Sequence, residues 1–298
     1  DAQESRGLGD VYKRQVEIVP TSQTVDMCDD PATVFRRKKD TSMGVGLTML
    51  REGKADALVS AGSTGALLTG ATLITKRIHG IRRAAMAPVI PTTTGQAVLI
   101  DCGANAECTP EYLVQFAYLG SFYAQQVLGL ARPRVGLLNI GAEDSKGTDL
   151  QKQTLARLKE ADAAGHLHFI GNIEAKEAIK GGCDVIVTDG FSGNILLKTM
   201  EGVGSFAGSA LKSMFKKNLL TKLAALAVMP GLNAFKDKLD PNKVGGTAFI
   251  GISKAVIKAH GASNAEAIEN AVGQAAAFAR SGLIEKIEEN VNLMKIEQ

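Results

Sequence analysis

The stretch Val185-Ile-Val-Thr-Asp-Gly-Phe-Ser-Gly-Asn-Ile-Leu-Leu-Lys198 decides the fold class of this chain. Its first three residues are β-branched and apolar, which is typical of a short strand buried on both faces of a parallel sheet. Asp189-Gly190 predicts the turn that ends this strand, and either Ser192 or Asn194 is expected to cap the helix that follows. Asn194 and Lys198 are four residues apart and therefore share one face of that helix.

Backbone amides, the amino terminus of a helix, an amide side chain and a lysine thus meet where one strand ends. This combination favours a bound anion, and phosphate suits it best. An ordinary capped strand-helix joint with a solvated lysine would show the same local pattern, because such joints are common in α/β proteins. The rest of the chain has to decide between these two interpretations.

Further units of the same kind occur along the chain. Their predicted strands are residues 57–60, 97–100, 135–138 and 168–170. Each strand ends in a loop of small or polar residues and is followed by a helix. Strands that alternate with helices in this way specify an α/β fold, a mostly parallel sheet with helices on both faces. The active residues of such a sheet are expected at its carboxyl edge.

The segment Leu211–Met229 has a different pattern and predicts a helical excursion from the sheet near residues 205–240. It is apolar at helical spacing, with four interleaved lysines, Lys212, Lys216, Lys217 and Lys222. The pattern alone favours a core helix or a dimer contact. The alternative is an interfacial helix that docks on anionic lipid.

Charge and cysteine usage exclude several classes of protein. The formal net charge is only +3, from 34 Lys and Arg against 31 Asp and Glu, so nucleic acid is not an expected partner. The four cysteines lack CxxC spacing and a nearby histidine cluster. This usage favours a reduced cytoplasmic protein and argues against zinc, so we expect no metal site.

Neither a nucleotide cofactor nor a membrane span is predicted. Gly44-Val-Gly46 lacks the third glycine of a dinucleotide fingerprint, and Ala61-Gly-Ser-Thr-Gly65 lacks the Gly-Lys-Ser/Thr ending of a Walker loop. The chain has no apolar run of about 18 residues. Residues 1–15 show no periodicity and are expected to be a non-native leader, with residues 16–298 forming a single domain.

Six loops in their order along the chain resemble those of one family. They are Ser60-Ala-Gly-Ser-Thr-Gly65, Asp101-Cys-Gly-Ala-Asn105, Asn139-Ile-Gly-Ala-Glu143, Gly171-Asn-Ile-Glu-Ala175, Thr188-Asp-Gly-Phe-Ser-Gly-Asn194 and Lys258-Ala-His-Gly261. From about Val16 onward the chain is similar to the bacterial phosphate acyltransferases of phospholipid synthesis, the PlsX family. That family begins with a further strand and an Asp-Ala-Met-Gly-Gly-Asp loop, so the resemblance implies that this sequence is truncated at its amino terminus.

The resemblance implies a function, partners and a location. A member of this family transfers a fatty acyl group from acyl carrier protein to inorganic phosphate and needs no cofactor. Its fold is similar to that of phosphotransacetylases and isopropylmalate dehydrogenases, and it is a homodimer. It is also associated peripherally with the inner face of the cytoplasmic membrane. The expected lipid contacts are Leu211, Phe215, Leu219 and Leu223.

Site residues are assigned on the basis of this resemblance. Phosphate is expected to bind Ser63, Thr64, Asn194 and Lys198, and Asp189 is expected to line the substrate site. Phosphate near neutral pH already carries a nucleophilic oxygen, so the reaction needs no strong general base.

The remaining assignments concern the acyl donor. Lys146, Asn105 or Asn139 is expected to stabilise the oxyanion that forms on the thioester, and His260 to protonate the leaving thiol. Three alternatives stay open at this point. They are an acyl-coenzyme A enzyme of the phosphotransacetylase type, a non-catalytic scaffold at the membrane surface, and an oxidoreductase of the related dehydrogenase fold.

Overall fold

The structure is a computed structural model that describes residues 16–218, 221, 224–225, 228–231 and 245–295. Within these ranges the strands form two sheets, which are flanked by helices. The strands are β1 (Ala57–Ser60), β2 (Ala85–Ala87), β3 (Val89–Pro91), β4 (Gln96–Ile100), β5 (Val135–Leu138), β6 (Phe169–Ile173), β7 (Val185–Val187), β8 (Gly246–Ile250) and β9 (Ala255–Ala259). The α-helices are α1 (Val34–Arg37), α2 (Ser42–Arg51), α3 (Thr64–Gly70), α4 (Pro110–Gln126), α5 (Asp149–Ala163), α6 (Ala175–Ile179), α7 (Gly190–Lys216), α8 (Ala265–Arg280) and α9 (Leu283–Glu289).

The five-stranded sheet has the order β3-β4-β7-β5-β6. Strands β4, β7, β5 and β6 are parallel, and only the edge strand β3 runs antiparallel to its neighbour β4. All three residues of β7 are buried at the centre of this sheet. The prediction that Val185–Val187 is a strand buried on both faces is therefore confirmed.

The four-stranded sheet has the order β1-β9-β8-β2 and is mixed. Strands β1 and β9 are parallel, whereas β8 pairs antiparallel with both β9 and β2. Gly246 and Thr247 are the first residues of β8. The four residues between β8 and β9 are too few for a parallel crossover, so these strands form an antiparallel hairpin.

Helix α4 lies at the centre of the largest hydrophobic cluster, which contains residues of both sheets. Its residues Leu113 to Ala124 are all buried. A Cβ atom on Gly120 would lie 2.6 Å from Val185 Cγ1 and 3.0 Å from Ile100 Cγ2. Glycine at this position therefore allows α4 to cross close above β4 and β7.

Several boundaries differ from the predicted ones. Helix α1 has only four residues, and the helix that follows the predicted strand 57–60 is α3, which continues into a π-helical turn, Ala71–Thr75. Strand β6 extends to Ile173 because Asn172 and Ile173 continue the pairing with β5. Thr41 caps α2 by accepting a hydrogen bond from Gly44 N.

Helix α7 follows β7 and is 27 residues long. Its buried residues are Gly190 and Gly193, both in the first turn, so most of its length projects beyond the sheet. The predicted helical excursion is confirmed as far as the structure describes it, and residues 221, 224–225 and 228–231 are also helical. The sequence interpretation was wrong in treating Leu211–Met229 as a separate helix, because its first six residues continue α7 from the site loop.

Candidate functional site

The loops after β4 and β7 lie side by side, because these two strands are parallel neighbours. Gly190 N donates a hydrogen bond of 2.8 Å to the carbonyl oxygen of Asn105, which joins the start of α7 to the β4 loop. A Cβ atom on Gly103 would lie 3.7 Å from Asn194 Oδ1. Asn105, Asp189 and Asn194 are therefore gathered at one edge of the five-stranded sheet, as predicted.

The side chain of Asp101 connects several backbone segments at this edge. The carboxylate is fully buried and accepts hydrogen bonds from the backbone N–H groups of Met86, Cys102, Ala104 and Asn105, at 2.6 to 3.3 Å. Burial raises the pKa of Asp101, while the hydrogen bonds from Met86, Asn105 and Ala104 act to lower it. Since Met86 belongs to β2, this carboxylate also connects the two sheets.

The side-chain amide of Asn105 makes its hydrogen bonds within the protein. Its Nδ2 donates to the carbonyl oxygen of Ala84 and to Asp101 Oδ2, both at 2.9 Å. A side-chain amide carries two donor hydrogens, so both are used in these contacts. The geometry thus gives Asn105 a role in holding the loop.

The amino terminus of α7 is capped by Asp189, whose carboxylate accepts a hydrogen bond of 2.8 Å from Ser192 N. The expectation that Ser192 or Asn194 caps this helix was wrong, because the helix begins one turn earlier, at Gly190. Capping by a carboxylate satisfies one of the free N–H groups and complements the helix dipole. It also leaves the exposed side chain of Asn194 available to a ligand.

Lys198 lies one turn further along α7 and has 54% of its side chain exposed. It forms an ion pair of 2.8 Å with Glu201, three residues later on the same helix. An exposed pair of this kind is weak, typically worth under about 1 kcal/mol, so a bound anion can compete for the ammonium group. Lys198 thus lies at the predicted edge, and its carboxylate partner Glu201 had no predicted role.

Cys102 follows Asp101 in the β4 loop and is buried. Burial raises the pKa of its thiol to about 12, and the charge of Asp101 acts in the same direction. The charge of Lys198 acts the other way and is outweighed. The thiol is therefore protonated at neutral pH and unsuited to nucleophilic attack.

The β5 loop lies next to the β7 loop, since β5 and β7 are also parallel neighbours. Within it, Asn139 Oδ1 accepts from Ile140 N at 2.8 Å, and Asn139 Nδ2 donates to the carbonyl oxygen of Lys146 at 3.2 Å. Asn139 therefore shapes its own loop. The side chain of Lys146 is exposed at the same sheet edge.

The other predicted residues lie at the four-stranded sheet. Ser63 is buried and accepts a hydrogen bond of 3.4 Å from Ala66 N, so it caps α3, and Thr64 is the first residue of that helix. A Cβ atom on Gly261 would lie 3.8 Å from the carbonyl oxygen of Ala61, so the loops after β1 and β9 adjoin. These contacts place Ser63, Thr64 and the exposed His260 at one edge.

His260 has a defined ring orientation. Its Nδ1 accepts a hydrogen bond of 3.1 Å from Ala262 N. In the neutral ring the proton is then on Nε2, which makes Nε2 the donor nitrogen. The Nε2–H of His260 can therefore donate a hydrogen bond from the side of the ring that faces away from its own loop.

The predicted residues thus form two groups, one at each sheet. Within the described residues, no hydrogen bond or ion pair joins Ser63, Thr64 or His260 to Asn194 or Lys198. The sequence placed them all at one edge because it predicted a single parallel sheet. The connection between the groups is structural, through Asp101 and the N–H of Met86.

Three further residues of these edges had no predicted role. Asp101 and Lys258 stand in loops quoted from the sequence, but residue type alone does not distinguish a buried hub or a half-buried lysine. Asn172 lies beside the β5 loop, donating to the carbonyl oxygen of Glu143 at 3.0 Å, and its buried Oδ1 has no partner among the described residues. These features depend on burial, which periodicity indicates only for apolar residues.

The part of the chain that the structure describes contains no group of three or more His, Cys, Asp or Glu side chains arranged to hold a metal ion. Among its helices, none combines the length and the apolar character that crossing a bilayer requires. Of the predicted lipid contacts, Leu211 and Phe215 lie half-buried on α7, while Leu219 and Leu223 fall outside the described residues.

Two solved structures similar to this one are phosphotransacetylases. The EutD phosphotransacetylase from Staphylococcus aureus has a TM-score of 0.56 at 17% identity, covering 94% of this chain and 84% of its own. A phosphotransacetylase from Streptococcus pyogenes has a TM-score of 0.55 at 20% identity, covering 82% and 68%. This likeness confirms the predicted fold class.

Sequence comparison finds relatives of much higher identity than these solved structures. The phosphate acyltransferase of Alkaliphilus oremlandii is 48% identical over 283 residues, which are 95% of this chain and 83% of that protein. The phosphate acyltransferase of Brevibacillus brevis is 45% identical over 277 residues, which are 93% and 82%. A family model described as "Fatty acid synthesis protein" matches residues 8–286. The chain therefore belongs to this family of fatty acid synthesis proteins, as the loop pattern predicted.

Proposed function

We propose that this chain is a phosphate acyltransferase that moves an acyl group from the thioester of acyl carrier protein to inorganic phosphate. The observation that carries the proposal is the 48% identity, over 95% of the chain, to a protein named phosphate acyltransferase. The site supports it, because two loop groups rich in N–H and hydroxyl donors lie at the carboxyl ends of parallel strands, where ligands of α/β sheets bind.

The reaction that we propose is direct attack. An oxygen of phosphate forms a bond to the thioester carbonyl carbon, and the carbon–sulfur bond then breaks to release the thiolate. The products are an acyl phosphate and, after proton transfer, the free carrier thiol. A cysteine intermediate is unnecessary, and the thiol pKa of about 12 at Cys102 argues against one.

Lys198 and Asn194 are the proposed phosphate ligands at the five-stranded sheet. Both are exposed on the first turns of α7, where the helix dipole favours an anion. Asp189 caps the same helix and keeps these turns in place. The negative charge of Asp189 also means that phosphate has to approach from the Asn194 side of the helix.

Lys146 is the proposed donor to the oxyanion that develops on the thioester. Asn105 and Asn139, the alternatives from the sequence, have side-chain amides engaged in holding their loops. They therefore act in our proposal as positioning residues. Ser63 and Thr64 at the start of α3 are assigned to the second anionic group of the reaction. The Nε2–H of His260 is assigned a hydrogen bond to the leaving thiolate, which takes up the proton that the attacking hydrogen phosphate loses.

Helix α7 is the proposed contact with a second copy and with lipid. Its exposed apolar residues are Phe191, Ile195, Val203, Phe206 and Met214, and Phe206 is 75% exposed. A helix with so much exposed apolar surface marks an interaction site. We assign the first half of α7 to a homodimer, and the end with Lys212, Lys216 and Lys217 to the inner face of the cytoplasmic membrane.

The test of the proposed function is a phosphate-dependent thiol assay. Acyl carrier protein carrying a fatty acyl thioester is incubated with the protein, and free thiol is measured with and without phosphate. Release that requires phosphate, together with formation of an acyl phosphate, supports the proposal. The same measurement with acyl-coenzyme A as donor would identify an enzyme of the phosphotransacetylase type if that donor alone reacts.

A further inference from the structure

A polar row crosses the four-stranded sheet at the carboxyl end of β1 and β9. Lys258 pairs with Ser60 of β1 on one side and with Thr247 of β8 on the other. Directly paired residues of neighbouring strands project from the same face of a sheet. Two hydroxyls and one ammonium group therefore stand side by side on one face.

The preceding row on the same face is apolar. Leu58 pairs with Val256, and both belong with Phe249 to the hydrophobic cluster under α2 and α3. The face thus changes from apolar to polar at its carboxyl end, where the loops with Ser63 and His260 begin. Lys258 stands one row beyond the apolar pair Leu58 and Val256 and is therefore not part of this cluster.

Lys258 is half-buried, and its surroundings among the described residues are uncharged. Its ammonium group donates to the carbonyl oxygen of Ala259, and within the described residues no carboxylate forms an ion pair with it. Loss of water contact lowers the pKa of Lys258. A partly desolvated charge without a partner costs free energy, and it typically marks a binding or catalytic position.

The neighbours of Lys258 can donate to an anion. Ser60 Oγ accepts a hydrogen bond of 3.2 Å from Gly62 N, which leaves its own hydrogen free to donate. Helix α2 starts above this loop, because a Cβ atom on Gly62 would lie 2.8 Å from Met43 Cε in its first turn. That first turn carries no acidic residue, so its dipole adds positive potential.

We propose that Lys258, Ser60 and Thr247 form a binding site for a phosphate group at the four-stranded sheet. The inference rests on the proposed function, in which two phosphate groups have to be held at once. One is inorganic phosphate, and the other is the phosphodiester of the arm that carries the acyl thioester. The structure supplies two separate lysines for them, Lys198 at one sheet and Lys258 at the other.

The test is Lys258→Met, which keeps the unbranched stem and removes the charge. Binding of inorganic phosphate is measured by calorimetry on the whole chain, and KM is measured for phosphate and for acyl carrier thioester. We expect a loss of about 10-fold or more in one of these, since a charge-assisted hydrogen bond contributes on the order of 1.5–3 kcal/mol. Weaker binding of inorganic phosphate identifies the free ion, and a higher KM for the thioester alone identifies the phosphodiester.

Matched variants make the result specific. Lys258→Arg should keep most of the affinity, and Lys254→Met, at the other end of the same hairpin, should match the wild type. Thr247→Val removes one hydroxyl with little change of shape and should weaken the same parameter. A folded Lys258→Met protein with wild-type phosphate affinity and wild-type KM values would overturn the inference. A wild type that binds phosphate without turnover would refute the proposed function, and weaker phosphate binding by Lys258→Met would then still support this site.

Discussion

The backbone N–H of Gly190 donates a 2.8 Å hydrogen bond to the carbonyl oxygen of Asn105. This bond fixes the first turn of α7 against Asn105, at the end of the β4 loop. Asp101, at the start of that loop, accepts a 2.6 Å hydrogen bond from the backbone N–H of the same Asn105. The position of Asn194 and Lys198 relative to the sheet follows from these two contacts. A substitution in the β4 loop should therefore displace the proposed phosphate ligands Asn194 and Lys198, although neither residue is itself replaced.

The substitution Gly193→Ala tests whether α7 has to lie as close to the end of β4 as the structure shows. A Cβ atom there would lie 2.0 Å from the carbonyl oxygen of Asp101 and 2.9 Å from Thr188 Cγ2. Gly193→Ala should therefore displace the first turn, costing about 1–3 kcal/mol of unfolding free energy and most of the activity. Denaturant unfolding and turnover of the same sample measure both effects.

The control for this change is Gly202→Ala in the same helix. A Cβ atom on Gly202 would have no described heavy atom within 4 Å apart from its own stretch of helix. Alanine is the better helix former, so this variant should be more stable by about 0.5–1 kcal/mol and fully active. Equal behaviour of the two variants would contradict the close approach of α7.

Lys198→Ala should lower turnover by about 10²-fold, the usual scale for losing one donor to a reacting anion. The reason is the position of Lys198 one turn after Asn194, at the end of the helix that favours an anion. A suitable control is Lys180→Ala, because Lys180 has the same 54% exposure and the same i,i+3 pairing, with Glu177. Full activity of the Lys198 variant at limiting phosphate would remove this lysine from the site.

Cys102→Ala should keep most of the activity and form no acyl-enzyme. The thiol pKa of about 12 leaves it protonated at neutral pH. Alkylation of the native protein at Cys102 should accordingly stay slow from pH 7 to 9, as mass spectrometry after iodoacetamide can show. An acyl thioester trapped on Cys102 would overturn direct attack by phosphate.

Charge reversal of Lys212, Lys216, Lys217 and Lys222 to Glu should abolish co-sedimentation with anionic vesicles. Each lysine near an anionic surface contributes about 1 kcal/mol of attraction, so four of them permit reversible binding. Activity in solution should survive, since these residues lie at the far end of α7 and beyond it. Lys222 itself falls outside the described residues.

The control reverses four lysines elsewhere on the surface, namely Lys152, Lys159, Lys176 and Lys180. This variant has the same net charge and should still bind the vesicles. If the wild-type protein does not co-sediment with anionic vesicles at low salt, the proposed membrane contact is wrong. The end of α7 is then a packing element of the fold or of a dimer interface.

Much of the five-stranded sheet was predictable because apolar β-branched runs mark buried strands directly. Val185–Val187 and Val135–Leu138 are strands with the predicted bounds. The four-stranded sheet was predictable only in part: residues 57–60 were expected as a strand and are β1, whereas Gly246 and Thr247 carry no strand signal and owe their pairing to the hairpin with β9. Asp189 was recognised as a turn residue but missed as the cap, since the sequence does not show where a helix begins.

The site was predictable as a set of loops and less so as an arrangement. Loop composition identified Asn194, Lys198 and His260 at strand ends, where the structure has them. Which polar side chains stay free depends on partners distant in sequence. Asn105, for example, bonds to the carbonyl oxygen of Ala84, 21 residues earlier. Lys258 stands out only once its strand neighbours are known.

The most direct test of the proposed function is the release of free thiol from acyl-acyl carrier protein, measured as phosphate concentration is varied. We predict release that rises with phosphate to saturation, with one acyl phosphate formed for each thiol. Lys198→Ala should reduce this rate and Lys180→Ala should leave it unchanged. Thiol release that is independent of phosphate, or no release from a folded protein at saturating phosphate, would contradict the account.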